Sequence, residues 1–123
     1  MVTFSSTLRY FLYRPPADMR KGFDSLSGLV RSSMGGNPLS GDVFIFINRR
    51  RNHIKLLVWD RTGFVLLHKR LERGTFELPA AENARQASCR LEWDELVFIL
   101  EGVALSSVRR RKRFRLPQPA GKT

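Results

Sequence analysis

The sequence predicts an α+β fold: an antiparallel β-meander of three to four strands, packed by an N-terminal helix and a short C-terminal helix, with a basic C-terminal arm. Three observations lead there. Residues 43–47, 54–59 and 64–71 are short apolar runs rich in β-branched and aromatic residues, joined by brief polar connections, which is the pattern of neighbouring antiparallel strands. Phe23, Leu26, Leu29 and Val30 recur at helical spacing ahead of them. A length of 123 residues with 42% hydrophobic content is enough for one buried core and too little for two. Residues 1–108 are therefore read as a single domain and residues 109–123 as a basic tail.

Taken in order, residues 8–13 form a short aromatic-rich extended segment that Pro15 and Pro16 end. Asp18 stands where a helix N-cap belongs, its carboxylate able to accept from free backbone N–H groups. The helix that follows turns its apolar face inward and ends in the Gly- and Pro-containing loop 32–41. Residues 48–52, Asn-Arg-Arg-Arg-Asn, are a polar hairpin loop. Residues 60–63 are a turn in which Gly63 is the residue able to take positive φ. The strands are almost continuously apolar, so both sheet faces are expected to be partly covered, one of them by the helix after Asp18, with the C-terminal helix sharing the work. Residues 74–79 suggest a fourth short strand broken by Pro79, and residues 80–90 a loop or frayed helix. Residues 94–101 suggest a short helix capped by Asp94, with Gly102 at its C-terminal stop.

Charge is the outlier. Twenty-two Lys and Arg against eleven Asp and Glu give +11 and a pI near 11.2. Such an excess draws polyanions. Arg outnumbers Lys, which favours phosphate and base-edge contacts through the guanidinium fork. Two clusters stand out. Arg49, Arg50, Arg51 and Lys55 lie at the tip and far side of a predicted hairpin, and two-stranded ribbons enter DNA grooves. Arg109, Arg110, Arg111, Lys112, Arg113 and Arg115 surround Phe114 in the tail, a composition suited to following a phosphate backbone or a minor groove. Solvated surface charge is the plain alternative for each cluster.

Other chemistries find little support. The single cysteine, Cys89, allows neither an internal disulfide nor a thiolate metal cluster. His53 and His68 have no Cys or His at ligand spacing. No Asp or Glu has a Lys two positions on, as metal-dependent nucleases often do, and Asp42 and Asp60 are the one carboxylate pair left for folding to bring together. Gly35-Gly36 lacks the Lys-Ser/Thr continuation of a phosphate loop. No cofactor, metal or small-molecule substrate is expected, and no catalytic residue. There is no secretory leader pattern and no apolar stretch long enough to cross a membrane, so a cytoplasmic location without membrane contact is expected.

Residues 18–26 (DMRKGFDSL), 41–46 (GDVFIF), 48–51 (NRRR), 55–60 (KLLVWD), 63–64 and 69–74 (KRLERG) occur in this order. Together they resemble the TnpB, or Orf2-like, accessory proteins of insertion sequence elements of the sixty-six family, over about residues 8–116. The resemblance implies bacterial mobile DNA, with a separate element-encoded transposase that carries the catalytic acidic residues as partner. It offers no catalytic residues to carry over. The expected function is a non-catalytic accessory role in transposition, by binding DNA at the element ends, the transposase, or both. The alternatives are a module that docks on the transposase without touching DNA, and an RNA binder.

Overall fold

A computed structural model describes residues 3–80 and 85–101. The basic tail with its six cationic cluster residues, the 108/109 boundary and Gly102 lie outside the described residues. Five strands and two helices follow in the order β1 (Tyr10–Tyr13), α1 (Phe23–Ser32), β2 (Val43–Ile47), β3 (His53–Asp60), β4 (Gly63–Arg70), β5 (Ser88–Leu91) and α2 (Trp93–Leu100).

The strands form one sheet in the order β4-β3-β2-β1-β5. The three central runs make the antiparallel β2–β3–β4 meander that the sequence predicts, with Phe44 opposite Leu57 and Leu57 opposite Leu66. The sheet as a whole is mixed, not antiparallel. β1 lies parallel to β2, with Tyr10 opposite Val43 and Leu12 opposite Ile45. The reason is the intervening helix: parallel neighbours need a crossover, and α1 with its flanking loops supplies the length.

The other edge holds a second correction. Residues 88–90, expected as part of a loop or frayed helix, belong with Leu91 to β5, antiparallel to β1 with Phe11 opposite Arg90. Residues 74–79 are not a strand. Their anchor is Phe76, fully buried, whose N–H donates to the Arg51 carbonyl at 2.6 Å.

Alternation along the strands splits the core into two layers. Tyr10, Leu12, Val43, Ile45, Ile54, Leu56 and Val58 face Leu96 and Ile99 of α2. Phe44, Phe46 and Leu57 face Leu26 and Val30 of α1. Both faces are thus covered, which explains why β2 is apolar at every position and buried throughout. Phe23, read as part of the packed helical face, is 47% exposed at the first turn. Gly36 lets the loop after α1 pass close over the core, since a Cβ there would meet Phe44 Cε1 at 3.1 Å and Val30 Cγ1 at 3.2 Å.

The helix starts differ from the sequence reading. Gly22 is the α1 N-cap, with no side-chain cap bond. Asp18 instead accepts the Arg20 backbone N–H at 2.9 Å and pairs with its guanidinium at 2.7 Å. That local turn uses the carboxylate before the helix begins. Asp94 lies inside α2. The cap is Glu92, in a reciprocal box with Glu95, whose carboxylate accepts the Glu92 N–H at 2.9 Å. At the β3–β4 turn it is Arg61, at φ 58°, and not Gly63, that adopts the left-handed conformation.

Candidate nucleic-acid interface

The β2–β3 connection is a five-residue tip braced at both ends by asparagine. Asn48 Oδ1 accepts the N–H groups of Asn52 and His53 at 3.0 and 2.9 Å, and Asn48 Nδ2 donates to Asn52 Oδ1 at 2.8 Å. The Arg51 N–H closes onto the Asn48 carbonyl at 3.0 Å. The segment after β4 props the tip from behind, where the Leu71 N–H donates to the Asn52 carbonyl at 2.8 Å.

Between these braces Arg49, Arg50 and Arg51 are all exposed, and none makes an ion pair among the described residues. Arg51 sits at φ 59°. For a residue that carries a Cβ this costs about 1–2 kcal/mol, which the bonds at Asn48 and Phe76 offset. Three like charges are therefore held on a pre-set backbone, an arrangement that lowers the ordering cost of meeting a polyanion. A groove of about 400 Å³ beside them is lined by Ala17, Asp18, Asn48, Arg49, Arg50 and His53. Asp18 at its rim is held ionised by Arg20, whose guanidinium keeps the carboxyl well below the usual carboxylate range. Its charge is thereby matched by Arg20, not by the tip.

Lys55, grouped with these arginines in the sequence, is placed elsewhere. It is only 8% exposed, and its ammonium donates to the carbonyls of Met19 and Lys21 at 2.8 and 2.9 Å. It ties the loop before α1 to the sheet and presents nothing to solvent at the tip. Arg70 comes closer than sequence suggests, since it pairs across β3–β4 with His53 and bonds Glu72 at 3.0 Å.

The two histidines also meet: His53 Nδ1 and His68 Nε2 are 2.8 Å apart. Partial burial, then the charges of Lys55, His53 and Arg70, lower the His68 pKa. Asp42 is engaged by Arg9 in a two-pronged pair at 3.0 and 2.8 Å. No group of three or more His, Cys, Asp or Glu able to hold a metal ion occurs among the described residues. No described helix is long and apolar enough to cross a membrane.

A second surface went unread in the sequence. Phe11 and Tyr13 alternate onto the α1 face of β1, half-buried at the margin of the α1 core layer. Arg9 and Arg90 place guanidinium carbons 5.6 and 5.8 Å from the centre of the Phe11 ring.

Comparison with known proteins adds a family. The model described as IS66 Orf2 like protein matches residues 8–110. The uncharacterized protein y4jC of Sinorhizobium fredii (strain NBRC 101917 / NGR234) is 29% identical over 111 residues, covering 90% of this chain and 92% of its own. The uncharacterized protein y4hO of the same strain is 33% identical over 103 residues, covering 84% and 87%. No solved structure matches.

Proposed function

Because the chain belongs to the IS66 Orf2-like family, accessory proteins of insertion sequences, we propose that it assists DNA transposition by binding DNA at the element's ends, without catalysing a step itself. The observation that carries this reading is the braced tip: three adjacent, exposed, unpaired arginines on a fixed turn. Such a ridge suits phosphates flanking a groove or a base edge within it. Arg109, Arg110, Arg111, Lys112, Arg113 and Arg115 follow the folded core in sequence and serve as an electrostatic arm. Lys55 has no part in the contact. The transposase is the protein partner and works on the same DNA.

The test is binding to a labelled duplex carrying the element's terminal inverted repeat, beside a scrambled duplex and a matched RNA, across a salt series. Salt-sensitive duplex binding is expected, weakened at least tenfold by Arg49→Ala, Arg50→Ala and Arg51→Ala together, and further by alanines at residues 109–113. No binding to any nucleic acid at moderate salt would sink the reading.

A second reading, docking on the transposase without DNA contact, draws on one feature. β4 is a sheet edge, and along it Phe4, Leu56, Leu67 and Leu100 line an apolar groove of about 200 Å³ with Leu67 46% exposed. Transposase pull-down that survives the arginine changes but is lost in Leu67→Glu would favour it.

A further inference from the structure

α1 packs on Phe44 and Phe46 of β2 and Leu57 of β3, and at the β1 margin of that sheet face Phe11 and Tyr13 are only partly buried. The residues there are unusual for a sheet margin. Phe11 and Tyr13 point the same way from consecutive same-face positions of β1, about 7 Å apart along the strand. Each ring is backed by a core ring one strand over, Phe11 by Phe44 at 5.9 Å in a stacked arrangement and Tyr13 by Phe46 at 5.7 Å. They are thus fixed in position while remaining partly exposed. The Tyr13 hydroxyl has no hydrogen-bond partner among the described residues.

The charges around the rings have one sign in effect. Arg9 is matched by Asp42. Arg90, directly opposite Phe11 on β5, is exposed and makes no ion pair among the described residues. Beyond Phe11 the surface dips into a groove of about 300 Å³, lined by Arg9, Phe11, Gly35, Asn37 and Asp42 among others. Its backbone wall at Gly35, φ 67°, has no Cβ to narrow it.

We propose that Phe11 and Tyr13 are a stacking platform for two successive bases of single-stranded DNA, with Arg90 meeting the intervening phosphate. Every base has a π-face, so rings on a sheet bind unpaired strands with little sequence preference, and nearby arginines supply the charge complement. A duplex hides those faces, so the platform reads unpaired DNA, whereas the arginine tip suits a duplex. Unpaired strands arise wherever an element end is opened or cut. The proposal rests on the DNA-binding reading above but shares no residue with the tip, so the two fail separately.

The experiment is anisotropy of a labelled twelve-residue oligo-dT with the full chain, against oligo-rU and the terminal-repeat duplex, for the native protein, Phe11→Leu/Tyr13→Leu and Arg90→Gln. Leucine keeps apolar volume against Phe44 and Phe46 while removing the ring face. The expected result is a loss of oligo-dT affinity of about tenfold or more in the double variant, a smaller loss for Arg90→Gln, and unchanged duplex binding. In the native protein, photocrosslinking of oligo-dT carrying 5-iododeoxyuridine, mapped by mass spectrometry, is expected at Phe11 or Tyr13. Oligo-dT affinity indifferent to these changes, crosslinks confined to other residues, or oligo-rU bound more than tenfold tighter than oligo-dT would each overturn the platform. Platform-dependent oligo-dT binding without any duplex binding would leave it standing and remove the duplex role.

Discussion

A lysine beside three arginines looks like a fourth phosphate contact, yet Lys55 holds the molecule together. Its ammonium satisfies two carbonyls of the loop before α1, 36 and 34 residues away in sequence. Replacing it with methionine keeps the stem and strands both acceptors. Lys55→Met is expected to lower stability by about 1–3 kcal/mol, read from the urea midpoint, with the salt slope of duplex binding unchanged. A fall of one slope unit without a stability loss would return Lys55 to the interface. His68 makes the companion case. At 2.8 Å from His53 Nδ1, one of the facing ring nitrogens has to be unprotonated for the bond to exist. The folded His68 pKa is lowered from 6.5 by partial burial and by nearby cations. The unfolded chain therefore takes the proton first as pH falls. The contribution is present in full above about 6.5 and is lost as pH drops through the lower folded value. Urea midpoints are expected to decline between pH 7.5 and 5.5, and His68→Gln to flatten that decline.

At the scale of elements, the meander was legible because each strand is built around a short, mostly apolar run with turn residues between it and the next. β5 was not, since Ser88-Cys89-Arg90-Leu91 has a single fully buried apolar residue. It is a strand because β1 offers it an edge, a long-range fact that periodicity does not carry. The parallel placement of β1 was hidden for the same reason. The arginine tip was legible from the polar run Asn-Arg-Arg-Arg-Asn. The Phe11/Tyr13 surface was not, because which margin α1 leaves open is settled by packing alone. The segment after β4 shows how an aperiodic stretch can still govern an element. Phe76 is fully buried and its N–H reaches the carbonyl of Arg51, so a core side chain and the tip backbone are joined. Phe76→Ala is expected to cost about 3–5 kcal/mol and to loosen the tip, seen as faster amide exchange at residues 49–52. If the exchange stays unchanged in folded protein, the Asn48 network alone braces the tip.

Over the whole molecule, charge is divided unevenly. Residues 109–123 hold seven of the 22 Lys and Arg and none of the eleven Asp and Glu. Residues 1–108 retain a small positive excess, and three of their cations are gathered on one tip. Long-range attraction to DNA is therefore expected to come chiefly from the tail, and fixed contact geometry from the turn. These contributions separate in a salt titration, where the log–log slope falls by about 0.9 for each phosphate no longer neutralised. Changing Arg49, Arg50 and Arg51 to alanine is expected to reduce the slope by about 2–3 units and to abolish any preference for the terminal repeat. Ending the chain at residue 108 is expected to reduce the slope by about 4–6 units, slow association and leave that preference intact. If the truncated chain loses its preference while the triple variant keeps it, the tail is the reader and the braced turn only an anchor.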